Sequence, residues 1–137
     1  MIKILVLCTG NSCRSQIAEG YLKLFLKRKA QVLSAGTKNH EINKYAIESM
    51  KGDGIDISTH SSNNVSEFKK IKFDYVITVC DHAKETCPIF ISNSATKIHK
   101  NFFDPSSITN PEKIKGAFEL CRDEIKKFCY DFSKNLN

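Results

Sequence analysis

The chain has 137 residues, 41% of them apolar, which suits one domain (1–137) with a single sizeable core and excludes a disordered chain. No apolar run approaches the roughly 20 residues needed to span a bilayer, which argues against a membrane protein. The net charge of +6 is spread over short lysine clusters broken by acids, without a helix-turn-helix, zinc-finger or RNA-binding signature, so nucleic acid is not an expected partner.

Residues 2–7, Ile-Lys-Ile-Leu-Val-Leu, read as a short buried strand. A loop of small and polar residues follows, and Ile17, Ala18, Tyr21, Leu22 and Phe25 then form one stripe of a helix predicted over 14–29. Residues 31–35 read as a second strand ended by Gly36, and a helix is predicted over 43–51, stopped near Gly52 and Gly54. A polar loop spans 61–64, with a short helix expected over 65–70. Residues 73–79 give a third strand with Cys80 at its end, and 96–100 a weaker fourth. Ile114, Phe118, Cys121, Ile125, Phe128 and Phe132 step by four and three, the pattern of a long final helix.

Strands alternating with helices predict a parallel sheet covered on both faces. Ligands in such open sheets bind beyond the carboxyl ends of the strands. Cys8 follows strand one and Cys80 follows strand three, so neighbouring strands would bring both to one edge.

The segment Cys8-Thr9-Gly10-Asn11-Ser12-Cys13-Arg14-Ser15 carries the chemistry. A loop entering a helix N-terminus aims unpaired N–H groups at one point and adds a partial positive charge. Gly10 is expected to allow the sharp turn. Arg14 contributes a planar fork matched to two oxygens of a tetrahedral anion. The same positive surroundings are expected to favour the Cys8 thiolate, and Ser15 to hydrogen-bond its sulfur. These residues point to an enzyme acting on phosphate or an anion of the same shape.

Cys80 and Cys87 lie seven positions apart. On a regular helix that places them roughly 10 Å apart along the axis, beyond the Cα separation of about 7 Å that a disulfide tolerates. The pair reads either as a redox couple on a segment that unwinds or as two separate buried thiols. Cys80, His82, Cys87 and Cys121 lack the paired spacing of a zinc site. Asp104, beside Phe102 and Phe103 and before Pro105, reads either as a general acid of raised pKa or as a turn residue. Residues 1–7 are too short for a signal peptide, so a cytoplasmic location with six largely reduced cysteines is expected.

Taken in order, Cys8 to Gln16, Ala18-Glu19-Gly20, Ser34-Ala35-Gly36, Ile55-Asp56-Ile57-Ser58, Cys80 to Pro88 and Asp104-Pro105 resemble the thioredoxin-coupled arsenate reductases. That family shares its fold with low-molecular-weight protein tyrosine phosphatases, and the resemblance runs along nearly the whole chain. It implies a single-domain three-layer α/β sandwich with a four-stranded parallel sheet. It also implies a relay in arsenic detoxification. Cys8 attacks arsenate, Asp104 protonates the departing oxygen, Cys80 attacks Cys8, and Cys87 attacks Cys80. Thioredoxin then reduces the Cys80–Cys87 disulfide of what is expected to be a monomer. Thr9, Gly10, Asn11, Ser12, Cys13, Arg14 and Ser15 would hold the oxyanion, with phosphate or sulfate able to take its place. Some relatives bind potassium near the loop. Asn11, Glu19 and Ser34 match that pattern, whereas Asn63 stands where a carboxylate is expected. The alternative activity is phosphoester hydrolysis through a Cys8 phosphocysteine. Cys13, Cys121 and Cys129 are expected to be packing residues.

Overall fold

The computed structural model describes residues 1–38 and 40–136. Four parallel strands, β1 (Ile2–Cys8), β2 (Ala30–Gly36), β3 (Tyr75–Thr78) and β4 (Thr96–His99), lie in the order β2-β1-β3-β4. The helices are α1 (Arg14–Leu26), α2 (Lys44–Gly52), α3 (Asp81–Thr86), α4 (Ile89–Ser92) and α5 (Pro111–Lys134). The expected strands and long helices are present, with ends shifted by one to three residues. The short helix expected over 65–70 is a 3-10 turn, Val65–Phe68, closed by an Asn64–Glu67 capping box. Two short helices, α3 and α4, stand where no apolar periodicity predicts one.

The central strand explains the architecture. Ile4, Leu5, Val6 and Leu7 are all fully buried, so β1 is covered on both faces and flanked on both edges. Side chains of β3 alternate between the faces. Tyr75 meets Phe132 of α5 edge-on at 5.4 Å on one face. Val76 and Thr78 share a crevice with Lys84 and Cys87 of the α3 region on the other.

The α5 helix presents Phe118, Cys121, Ile125 and Cys129 to the core. Its Phe128 ring packs edge-on against Phe102 at 5.7 Å, a contact of about 0.5–1.5 kcal/mol beyond area burial. That contact fixes the segment 102–103 leading into Asp104. By contrast, Ala83 is the sole buried residue of α3. No described helix is long and apolar enough to cross a membrane.

Candidate active site

The parallel register pairs Leu7 with Thr78, so the ends of β1 and β3 open onto the same edge. Cys8 closes β1, and residues 9–13 curl over the start of α1. The loop is tied down from several sides. Thr9 and Gly10 carbonyls accept from the Lys38 and His40 amides at 2.9 Å, and Ser12 accepts from Asn43 at 2.8 Å. Cys8, Thr9, Gly10, Ser12, Cys13 and Arg14 line a cavity of about 210 Å³, joined by His40, Asp104 and Ser106. Backbone amides, a guanidinium and a sulfur thus surround one space suited to a tetrahedral oxyanion.

Two expectations about the loop need correction. Gly10 does not make the turn. The left-handed residue is Asn11, at φ 51°, and Gly10 is instead packed by His40, whose ring would lie 2.6 Å from an added Cβ. Asn11 and Ser15 do not line the cavity. The fully buried Asn11 side chain accepts from the Ser15 hydroxyl at 2.7 Å and donates to the Ser34 carbonyl at 3.3 Å. Ser15 therefore steadies the loop through Asn11 and makes no hydrogen bond to the Cys8 sulfur.

Charge in the site involves a second sulfur. The Cys8 and Cys80 sulfurs lie 3.8 Å apart, with Cys8 as donor. That hydrogen bond and burial push the Cys8 thiol well above its ordinary range, against the pull of Arg14 and the Thr9 amide. Cys80 is held down to about 5, first by the Cys8 thiol, then by the Thr9 hydroxyl, the Ala83 amide and Arg14. The shared hydrogen bond raises Cys8 and lowers Cys80, so the two sulfurs titrate as a pair that holds one proton between them. The Thr9 hydroxyl, 3.4 Å from the Cys80 sulfur, takes part in this balance. Its role was invisible in the sequence because it depends on two strands meeting.

Arg14 is fixed by donating to the Phe102 carbonyl at 2.8 Å, and its second nitrogen lies 3.8 Å from Asp104 Oδ2. The other Asp104 oxygen accepts from the Ser106 amide and hydroxyl at 3.0 and 2.6 Å. Asp104 thus meets the turn reading. It caps the turn Pro105–Ser107 and turns its free oxygen toward Arg14 and the cavity. No sequence pattern announced His40 or Ser106, which tertiary packing delivers to the site.

Cys87 stands at the far end of α3 from Cys80, so the helix separates them in this conformation. Cys8, Cys13, Cys80, Cys121 and Cys129 are free thiols. Cys13, Cys121 and Cys129 are buried, as expected of packing residues. Burial raises all three thiols, Cys121 to about 12. Cys121 contacts the Phe103 carbonyl rather than the Cys80 region. Among the described residues no group of three or more His, Cys, Asp or Glu could hold a metal.

The residues matching a potassium site converge, but their polar atoms are already engaged. Ser34 donates its hydroxyl to Glu19, and Lys23 reaches the other Glu19 oxygen at 2.5 Å. The amide nitrogens of Asn11 and Asn63 both point at the Ser34 carbonyl at 3.3 Å. Hydrogen-bond donors and an ammonium surround the oxygens a cation would need, so this set does not fit potassium. Burial also lowers the neighbouring His60.

Comparison with known proteins agrees with this geometry. The family model for low molecular weight phosphotyrosine protein phosphatase matches residues 3–137. Arsenate reductase 1 of Staphylococcus epidermidis is 46% identical over 97% of this chain and 96% of its own length. The arsenate reductase of Halalkalibacterium halodurans is 42% identical over 96% and 94%. A solved arsenate reductase in its phosphate-binding state superposes with a TM-score of 0.86 at 27% identity, covering both chains completely. The chain belongs to the low molecular weight phosphotyrosine protein phosphatase family and, within it, to the group of the arsenate reductases.

Proposed function

We propose that this protein reduces arsenate to arsenite by passing oxidation from Cys8 to Cys80 and then to Cys87. The observation that carries the reading is the 3.8 Å separation of the Cys8 and Cys80 sulfurs above the oxyanion cavity. A hydrolase of phosphoesters has no use for a second ionisable sulfur there. About 1.8 Å of approach brings the pair to a disulfide bond length near 2.05 Å.

The chemistry balances step by step. Cys8 displaces one oxygen of dihydrogen arsenate, which leaves as water once Asp104 and the thiol have supplied protons. Arg14 and the loop amides stabilise the charge on the remaining oxygens. Cys80 then attacks the Cys8 sulfur, and the sulfur–arsenic bond breaks with its electron pair on arsenic. Arsenic falls from the fifth to the third oxidation state as two thiols become a disulfide. The Thr9 hydroxyl, the Ala83 amide and Arg14 favour the ionised form of this second nucleophile. Cys87 attacks Cys80 and frees Cys8, and a dithiol protein of the thioredoxin type reduces the Cys80–Cys87 disulfide. A monomer in the cytoplasm fits this scheme, because a reducing compartment keeps all six thiols available. Lys23 supplies the positive charge beside Glu19.

Arsenite formation with thioredoxin, thioredoxin reductase and NADPH tests the reading. Arsenate-dependent NADPH consumption is expected, and Cys87→Ser should stop after one turnover with Cys8 bonded to Cys80. The second reading, hydrolysis through a Cys8 phosphocysteine, draws on the match to the phosphatase family model. Brisk phosphoester hydrolysis without arsenate-dependent NADPH consumption would establish it instead.

A further inference from the structure

The segment carrying the two outer cysteines is held by little apolar packing. In α3, His82, Lys84, Glu85 and Thr86 are exposed and Ala83 alone is buried. Its first residue is nevertheless gripped from the sheet. The Asp81 carboxylate lies 2.8 Å from His99 Nε2, and His99 Nδ1 lies 2.7 Å from the Thr78 hydroxyl. The Asp81 amide donates to the Asn101 side chain at 3.1 Å. An imidazole protonated at Nε2 satisfies both of its contacts, donating to Asp81 and accepting from Thr78. The hydrogen-bond chain therefore runs from the end of β3, through the end of β4, to the residue that follows Cys80.

From this juxtaposition we infer that Asp81, clipped by His99, is a positioning residue that sets how readily Cys87 reaches Cys80. The inference rests on the relay proposed above. Seven helical steps hold the two cysteines roughly 10 Å apart along the axis, and a disulfide requires their Cα atoms within about 7 Å. Cys80 is anchored at the end of β3, so the first turn of α3 must unwind, and Asp81 must leave His99. The clip thus stabilises the helical dithiol form over the looped disulfide form. With so little of α3 buried, these hydrogen bonds are the main restraint on its N-terminal turn.

The test uses the full chain in a Cys8→Ser background, where Cys80 has only Cys87 to join. In a dithiothreitol redox buffer, each disulfide formed in the protein reduces one molecule of cyclic oxidised dithiothreitol. Asp81→Ala is expected to shift this equilibrium about three- to tenfold toward the Cys80–Cys87 disulfide, the scale of one partly exposed hydrogen bond. Amide exchange within 84–86 of the reduced protein should accelerate by a similar factor. His99→Ala should act in the same direction, and the double substitution should add little to either single one. Asp81→Asn, which keeps an acceptor for His99, should restore most of the unsubstituted behaviour. An unchanged redox equilibrium, unchanged exchange, or fully additive effects of the two alanine substitutions would overturn the clip. Absence of any Cys80–Cys87 disulfide in the background protein would overturn the relay itself, a result readily told apart from the others.

Discussion

Gly36→Ala is a demanding test of how the oxyanion loop is supported. Gly36 ends β2 directly opposite Cys8 in the register. An added Cβ would lie 2.4 Å from both the Thr9 and Lys38 carbonyl oxygens and 2.9 Å from the Asn11 nitrogen. Ordinary contact begins near 3.4 Å, so each carbonyl must retreat by about 1 Å. These are backbone atoms, and Thr9 also accepts the Lys38 amide at 2.9 Å, so no side chain can swing aside to relieve the clash. Overpacking of this kind costs about 1–3 kcal/mol. For a chain of this length that lowers the unfolding midpoint by roughly 3–10 °C. Displacing the loop by about 1 Å should also reduce turnover about 100-fold. Gly116→Ala, in α5 with nothing within 4 Å, provides the control and should stabilise by about 0.5–1 kcal/mol. Thermal unfolding followed by circular dichroism, with the coupled NADPH assay, reads both effects. A Gly36→Ala midpoint within about 2 °C of the unsubstituted protein, with full turnover, would refute the packing argument.

Arg14→Lys removes both the planar fork and the 2.8 Å bond to Phe102. A 10- to 100-fold fall in kcat/KM for arsenate is expected, on the scale of one charge-assisted hydrogen bond, and steady-state kinetics would reveal it as roughly that loss. Stability should depend on pH through the sulfur pair. Folded Cys80 releases its proton at about 5, against an ordinary value of 9.0, so between these values the unfolded chain binds more protons and stability rises with pH. Cys8 is shifted the other way and makes stability fall above the ordinary thiol range. Denaturant titrations across this window should show the rise, and Cys80→Ala should remove it. Finally, unfolding midpoints in potassium and sodium chloride should coincide. A rise of several degrees specific to potassium would show that Lys23 does not serve as the counter-charge of Glu19.

What could be read in the sequence was whatever depends on neighbours along the chain. The Cys8-to-Arg14 loop announces itself because strand, small residues and helix start follow one another directly. The α5 helix is legible from its apolar steps. Contacts between distant segments left no such trace. His40 reaches the cavity through packing on Gly10, and Thr9 meets Cys80 across 71 positions. Ser15 has a choice of acceptors within reach, and only the fold decides that Asn11 wins over Cys8. The α3 helix escaped notice because a single buried alanine makes no periodic pattern. The same holds for the sulfurs: the loop alone shows Cys8 among positive groups, and only the meeting of two strands adds Cys80 as its hydrogen-bond partner.

The pairing of Leu7 with Thr78 also bears on ancestry. The Val79 amide donates to the Leu7 carbonyl at 3.1 Å, which carries the ladder one step further and leaves positions 8 and 80 side by side. Any lineage that already held the loop and this sheet had that adjacency before it had a use for it. One mutation to cysteine after the third strand would have set a second sulfur against the first without touching the core. The novelty would then lie in a six-residue helix with one buried alanine at the periphery, where trial substitutions are cheap, while the anion-gripping scaffold stayed as inherited.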